Sequence, residues 1–161
     1  MQFMNIDHVY STSSVSLEAT LLLGAKLGAL LKGREVIELS SDLGGGKTAF
    51  VKGLAGGLGY TGNVISPTFT ISKVYPLPHG LELHHFDFYR LADGDVVAAE
   101  LAEIIGQPDI ITAIEWPDTA ASVLPDDRLR ITIMATGETT RSFTFMSTGP
   151  KHQTLINGLQ S

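Results

Sequence analysis

The chain has 161 residues, 43% hydrophobic and 17% charged, which suits one globular domain and is too apolar for a disordered chain. It contains no cysteine, which excludes disulfides, thiol chemistry, cysteine-ligated zinc and iron–sulfur clusters. Its net charge is −6 and its eleven basic residues are scattered, with only Arg128 and Arg130 close together. A direct grip on tRNA or DNA is therefore not expected, and a partner protein would have to hold any nucleic acid involved.

No apolar stretch approaches the roughly 20 residues of a membrane span, and the start, MQFMNIDHVY, lacks the basic-then-apolar pattern of a signal peptide. The expectation is a soluble, cytoplasmic protein without membrane contact. In chain order, Gln2 to Ile6 reads as a short edge strand and Ser11 to Ser16 as a polar connector rich in potential helix caps. Leu17 to Lys32 approximates helical periodicity, although Gly24 and Gly28 each cost about 1 kcal/mol relative to alanine. Gly33 suits the exit from that helix.

Glu35 to Ser40 is an apolar strand, and Thr48 to Leu58 is the next helix, ended by Gly59. Asn63 to Thr68 is a loop with Ser66-Pro67 in it. Phe69 to Tyr75 and Leu81 to Phe88 alternate as strands around the hairpin signal Pro76-Leu77-Pro78-His79-Gly80. Ala92 to Ile105 is mainly helical after the Asp93-Gly94-Asp95 turn. Ile110 to Ile114 is apolar without alternation, as a strand buried on both faces reads. Arg128 to Met134 and Arg141 to Met146 alternate around a Thr136-Gly137-Glu138 turn, and the polar tail from about 150 suits one short helix. These segments predict a single α/β domain over 1–161, a three-layer fold with a mixed, partly parallel sheet and hairpin strands; the run of strand, SDLGGGKT and helix within it makes the fold P-loop NTPase-like.

Between the first confident strand and its helix lies Ser41-Asp42-Leu43-Gly44-Gly45-Gly46-Lys47-Thr48. It matches the phosphate-loop pattern G-x-x-x-x-G-K-[ST] except that Ser41 stands at the first glycine. Glycines let successive N–H groups turn toward a phosphate, and the helix N-terminus adds partial positive charge. Lys47 would reach the terminal phosphates, and the Thr48 hydroxyl would hold Mg²⁺.

Such a site needs an acid near the metal and a group that orients water. Two acids stand at strand ends, Asp87 in HHFDFYRL and Glu115 after the buried IITAI run. Glu115 better fits the rule that ligand sites gather at the carboxyl ends of parallel strands. Ser66 and Thr68 in SPTF offer hydroxyls where a nucleotide-sensing loop would lie, and Trp116 stands beside Glu115. His84 and His85 are consecutive on a strand, face opposite sides, and cannot together hold one ion.

The ordered set SDLGGGKT, SPTF, HFDFYRL and EWPD resembles the bacterial TsaE (YjeE) family of ATPases required for tRNA threonylcarbamoyladenosine modification, over roughly Ser11 to Met146. The resemblance implies ATP hydrolysis with Mg²⁺ and binding of ATP or ADP by Asp42, Leu43, Gly44, Gly45, Gly46, Lys47, Thr48, Ser66, Thr68 and Trp116. It makes Thr48, Asp87 and Glu115 the metal-side residues, with Asp87 the Walker-B-like acid. It places residues around Tyr10 to Thr12 near the adenine. It also implies a partner, the TsaB–TsaD complex, whose cycle the ATPase drives without itself transferring the carbamoyl group.

Other readings remain at this point. A nucleotide or small-metabolite kinase would share the loop but carry an arginine-rich lid, whereas only five arginines occur here, Arg90 being the best internal candidate for the site. A GTP-binding module would need an Asn-Lys-x-Asp motif, which is absent. Ser41 leaves room for a non-hydrolysing, nucleotide-dependent adaptor.

Overall fold

The computed structural model describes residues 8–42, 44–67, 71–89 and 95–161, apart from the side chains of Asp95 and Thr119. Strand β1 (His8–Ser14) leads into α1 (Leu17–Gly28), β2 (Val36–Ser40) into α2 (Lys47–Gly57), and β3 (Ser72–Pro76) turns back into β4 (Glu82–Asp87). Helix α3 (Asp95–Ile104) precedes β5 (Ile110–Glu115), which runs into a 3-10 segment, Pro117–Val123. A hairpin of β6 (Leu129–Ala135) and β7 (Arg141–Ser147) follows, then α4 (Pro150–Gln160). The strands form one sheet in the order β1-β7-β6-β2-β5-β4-β3. β2, β4, β5 and β6 are parallel, while β1, β7 and β3 pair antiparallel, so the sheet is mixed and partly parallel as expected.

Alternation along the strands divides the core. Ile37, Leu39, Ile111, Ala113, Leu129, Ile131, Phe143 and Phe145 pack with Leu27 of α1, Phe50 and Leu54 of α2, and Ile156 of α4. Val36, Phe86 and Ile114 pack on the opposite face with Val97 and Leu101 of α3 and Ala120 of the 3-10 segment. These are three layers, helices on both faces of a sheet.

Several expectations are corrected. The Ser11 to Ser16 connector is mostly strand: β1 runs to Ser14 along β7, and its polar residues hide the alternation because only one face is covered. Buried Ser14 is satisfied by a 2.7 Å hydrogen bond with the Thr20 hydroxyl, and Ser16 caps α1 by accepting from the Ala19 N–H. Helix α1 ends at Gly28 and not near Lys32. The Glu35 carboxylate stops it, accepting the N–H groups of Lys32 and Gly33 at 2.7 Å and closing the turn into β2.

Gly24 and Gly28 weaken α1 locally, but they let it approach α2 closely. A Cβ at Gly24 would lie 2.4 Å from the Phe50 carbonyl oxygen, and one at Gly28 would lie 2.2 Å from that of Leu54. Gly53 and Gly57 of α2 face Leu21 and Ala25 in the same way. The expected edge strand at Gln2 to Ile6 lies outside the described residues. So do the start of the Phe69 strand and the Asp93-Gly94 part of the turn before α3.

The tail from Pro150 is α4, docked by Leu155, Ile156 and Leu159. Asp127 caps it, its carboxylate accepting the N–H groups of Lys151 and His152. The His152 ring then bridges inward, donating from Nδ1 to Asp127 at 2.7 Å and accepting the Val36 N–H at Nε2 at 3.0 Å. Burial, foremost, holds His152 below the ordinary histidine range, and its lone pair on the Val36 N–H requires the neutral ring. Asp127 is also held low: burial pushes it up, but hydrogen bonds from His152 and Lys151 outweigh that.

Candidate functional site

β2, β5 and β4 are parallel neighbours, so their carboxyl ends open on one edge of the sheet. In register, Leu39 stands opposite Glu115, and Glu115 opposite Asp87. Alternation puts His85, Asp87 and Glu115 on the same face as Ala113, the face covered by α2. The two candidate acids, 28 positions apart in sequence, are thus side by side at the foot of α2.

The loop between β2 and α2 supplies the other wall. Gly44 and Gly46 have φ of +74° and +103°, conformations that glycine adopts freely. Gly46 is the N-cap of α2 and provides no side-chain hydrogen bond, and no acid occurs in the first helical turn. The first N–H groups of α2 are therefore left for a ligand, in the field of the helix dipole. A Cβ at Gly44 would meet nothing within 4 Å, so the loop has open space above it.

Gly44, Gly45, Gly46, Lys47, Thr48, Ser66, Asp87, Tyr89, Glu115 and Trp116 surround one cavity of about 420 Å³. Of the sequence-predicted residues, Asp42 lies behind the loop, lining a separate groove with Ser41, Trp116 and Met134. Leu43, Thr68 and Arg90 fall outside the described residues. Tyr10, expected near adenine, stacks on Phe145 at 5.9 Å, and the β1 residue paired with loop-contacting Arg141 is Ser14.

Lys47 is 8% exposed. Its ammonium donates to the Ser41 hydroxyl at 2.8 Å and to the Ser41 and Asp42 carbonyls at 3.3 and 3.4 Å, and lies 4.5 Å from the centre of the Trp116 ring. Burial lowers its pKa, while Glu115, Asp87 and Asp42 act in the opposite sense and favour the cation. Glu115 is 2% exposed, and Oε2 accepts from Nε2 of fully buried His85 at 3.0 Å. Asp87 accepts the Tyr89 N–H at Oδ1, turning the chain after β4.

Trp116 has φ +56° and ψ +61°, a left-handed conformation that costs a non-glycine residue of order 1–2 kcal/mol. That bend lays its ring between Lys47 and the Tyr89 ring, whose centre is 4.9 Å away. The chemistry fits a phosphate and a hard cation: uncapped N–H groups and an ammonium on one wall, a hydroxyl and two carboxylates on the other. Among the described residues no cluster of three or more His, Cys, Asp or Glu could hold a metal alone, so a cation here would need phosphate oxygens and water as well.

Three residues at the site carry no motif: in the sequence His85 reads only as a poor metal ligand, Tyr89 only as part of HFDFYRL, and Arg141 as a strand start. Arg141 donates from Nε to the Gly45 carbonyl at 3.1 Å while Nη1 holds carbonyls of the β6–β7 turn, tying hairpin to loop. The signal for His85 was available, since it stands two residues before Asp87 and shares its face.

Comparisons with known proteins point to one family. A family model described as TsaE, threonylcarbamoyl adenosine biosynthesis protein, matches residues 14–143. The TsaE protein of Streptomyces coelicolor is 40% identical over 119 residues, 73% of this chain and 80% of its own. That of Bacillus subtilis is 37% identical over 146 residues, 91% of this chain and 90% of its own. A crystal structure of Bacillus subtilis YdiB superposes with a TM-score of 0.82 at 32% identity, covering 96% of each chain. The chain belongs to the TsaE family of threonylcarbamoyl adenosine biosynthesis proteins.

Proposed function

We propose that this protein binds and hydrolyses ATP with Mg²⁺ to drive the cycle of the TsaB–TsaD complex in tRNA threonylcarbamoyladenosine formation, leaving carbamoyl transfer to its partners. The observation that carries the reading is the pairing, across one cavity, of an uncapped helix N-terminus bearing Lys47 with Asp87 and Glu115 in adjacent register. One wall suits polyphosphate and the other suits its metal and water.

The N–H groups of Gly44, Gly46, Lys47 and Thr48 hold phosphate oxygens, and Lys47 exchanges its contacts with residues 41 and 42 for the terminal phosphates. The Thr48 hydroxyl and the Asp87 carboxylate, both lining the cavity, would hold Mg²⁺, which would neutralise charge on the transferring phosphoryl group. His85 fixes Glu115 through Oε2, leaving Oε1 to orient the attacking water or to help hold the metal. Trp116 and Tyr89, packed ring against ring, line the cavity beside Glu115. No arginine lines the cavity among the described residues, so the isolated chain is expected to turn over slowly and to need its partners.

The test is phosphate release from ATP in the presence of TsaB–TsaD, in Mg²⁺ or in EDTA, for the natural chain and Glu115→Ala. The expected result is Mg²⁺-dependent release that Glu115→Ala lowers by about 100-fold or more. Normal hydrolysis by Glu115→Ala would overturn the role of that carboxylate. No release in Mg²⁺ would overturn the ATPase itself.

A further inference from the structure

Ser41 stands where the phosphate-loop pattern has glycine. The substitution does not strain the backbone, since the described non-glycine residues with positive φ are Arg34, Ile71, His79 and Trp116. What differs is the side chain. Its hydroxyl donates to the Asp42 carbonyl at 2.9 Å, which leaves the oxygen lone pairs free to accept, and the Lys47 ammonium donates to it at 2.8 Å. The other two contacts of that ammonium, to the Ser41 and Asp42 carbonyls, are long at 3.3 and 3.4 Å. All three N–H bonds of Lys47 thus point back to residues 41 and 42, and the hydroxyl accepts the shortest.

The loop is also shaped around this side chain. A Cβ at Gly45 would lie 2.5 Å from the Ser41 Oγ, 2.8 Å from its Cβ and 2.9 Å from the Asp42 carbonyl oxygen, so the Ser41 side chain and the loop backbone together fill the space beside Gly45.

We propose that Ser41 sets nucleotide affinity: its hydroxyl is an internal ligand of the Lys47 ammonium that a β- or γ-phosphate has to displace. This rests on the ATP reading above and sharpens it, because the effect depends on where phosphate meets Lys47. A nucleotide whose phosphates reach Lys47 exchanges one charge-assisted hydrogen bond for another, and its net gain is reduced by the bond it breaks. A nucleoside monophosphate, which stops short of Lys47, breaks nothing. A glycine or alanine at this position would leave one donor of Lys47 to water, which is displaced more easily.

Titration calorimetry of the full chain in Mg²⁺ tests this with ATP, ADP and AMP. Ser41→Ala removes the hydroxyl but keeps the Cβ beside Gly45, and Ser41→Gly restores the pattern residue should alanine fold poorly. Ser41→Ala is expected to bind ATP and ADP about 3- to 10-fold more tightly than the natural chain, with AMP affinity unchanged. Ser41→Gly is expected to move ATP and ADP in the same direction. Equal or weaker ATP binding by Ser41→Ala would overturn the proposal. So would an equal gain for all three nucleotides, which would mark general loosening of the loop. If the natural chain binds none of the three, the nucleotide reading falls and takes this proposal with it. If the natural chain binds and Ser41→Ala matches it, the proposal alone falls.

Discussion

Replacing His85 with leucine removes the donor that holds Glu115 Oε2 and leaves a carboxylate of 2% exposure without that partner. Leaving a buried carboxylate without its donor costs more than the about 1–3 kcal/mol of an unpaired neutral group. Lys47 still faces Glu115 across the cavity and offsets part of this, so the expected loss is about 3 kcal/mol. That is a large share of the roughly 5–15 kcal/mol that stabilises a typical domain. His85→Gln keeps an N–H donor on a shorter reach and should cost about 1 kcal/mol. In a Glu115→Gln background, His85→Leu leaves a neutral amide unpaired in place of a charge, so its cost should drop to about 1–2 kcal/mol. The assay is urea unfolding at pH 7.5 for the four chains of this double-mutant cycle, followed by far-ultraviolet circular dichroism. The cycle should give a coupling of at least about 1 kcal/mol. His85→Leu within about 0.5 kcal/mol of the natural chain would refute the reasoning, since surface changes are usually no larger.

Two glycines of α2 should respond to alanine with opposite signs. At Gly56 a Cβ meets nothing within 4 Å, so Gly56→Ala should gain up to about 1 kcal/mol from helix propensity, raising Tm by about 2–4 °C. At Gly53 it would lie 2.2 Å from the Leu21 carbonyl oxygen, so overpacking of about 1–3 kcal/mol or more outweighs the same gain and Tm should fall. Calorimetric melting checks both. Stability should also decline with acid through the Asp127–His152 dock. Both groups are held below their ordinary values of 3.8 and 6.5, so the unfolded chain binds protons first as pH drops. Stability from His152 is complete above about pH 6.5 and is lost from there downward, and that from Asp127 is lost below about 3.8. His152→Gln should flatten the pH 7.5-to-5 portion of the Tm profile, and an unchanged profile would contradict the assignment.

The site was legible where chemistry and local structure coincide. SDLGGGKT between a strand and a helix announces its cradle, and the apolar IITAI run explains why the charge that follows it, Glu115, is worth noting. What was hidden depends on neighbours remote in sequence. β1 looked like a connector because HVYSTSS covers only one face with core. Gly24 and Gly28 looked like weak helix positions because the backbone they approach belongs to the other helix. The Asp127–His152–Val36 bridge joins three segments and has no local pattern. At Ser41 the sequence shows only a departure from the pattern glycine, whereas the structure shows what the side chain does, accepting from Lys47.

The central claim is a partner-coupled ATPase centred on Lys47. Its most direct test is steady-state phosphate release from ATP in Mg²⁺, with and without purified TsaB–TsaD, for the natural chain and for Lys47→Ala. The account predicts slow release by the chain alone, a clear rise with the partners, and loss of that rise in Lys47→Ala. Turnover indifferent to TsaB–TsaD, or undiminished in Lys47→Ala, would contradict it.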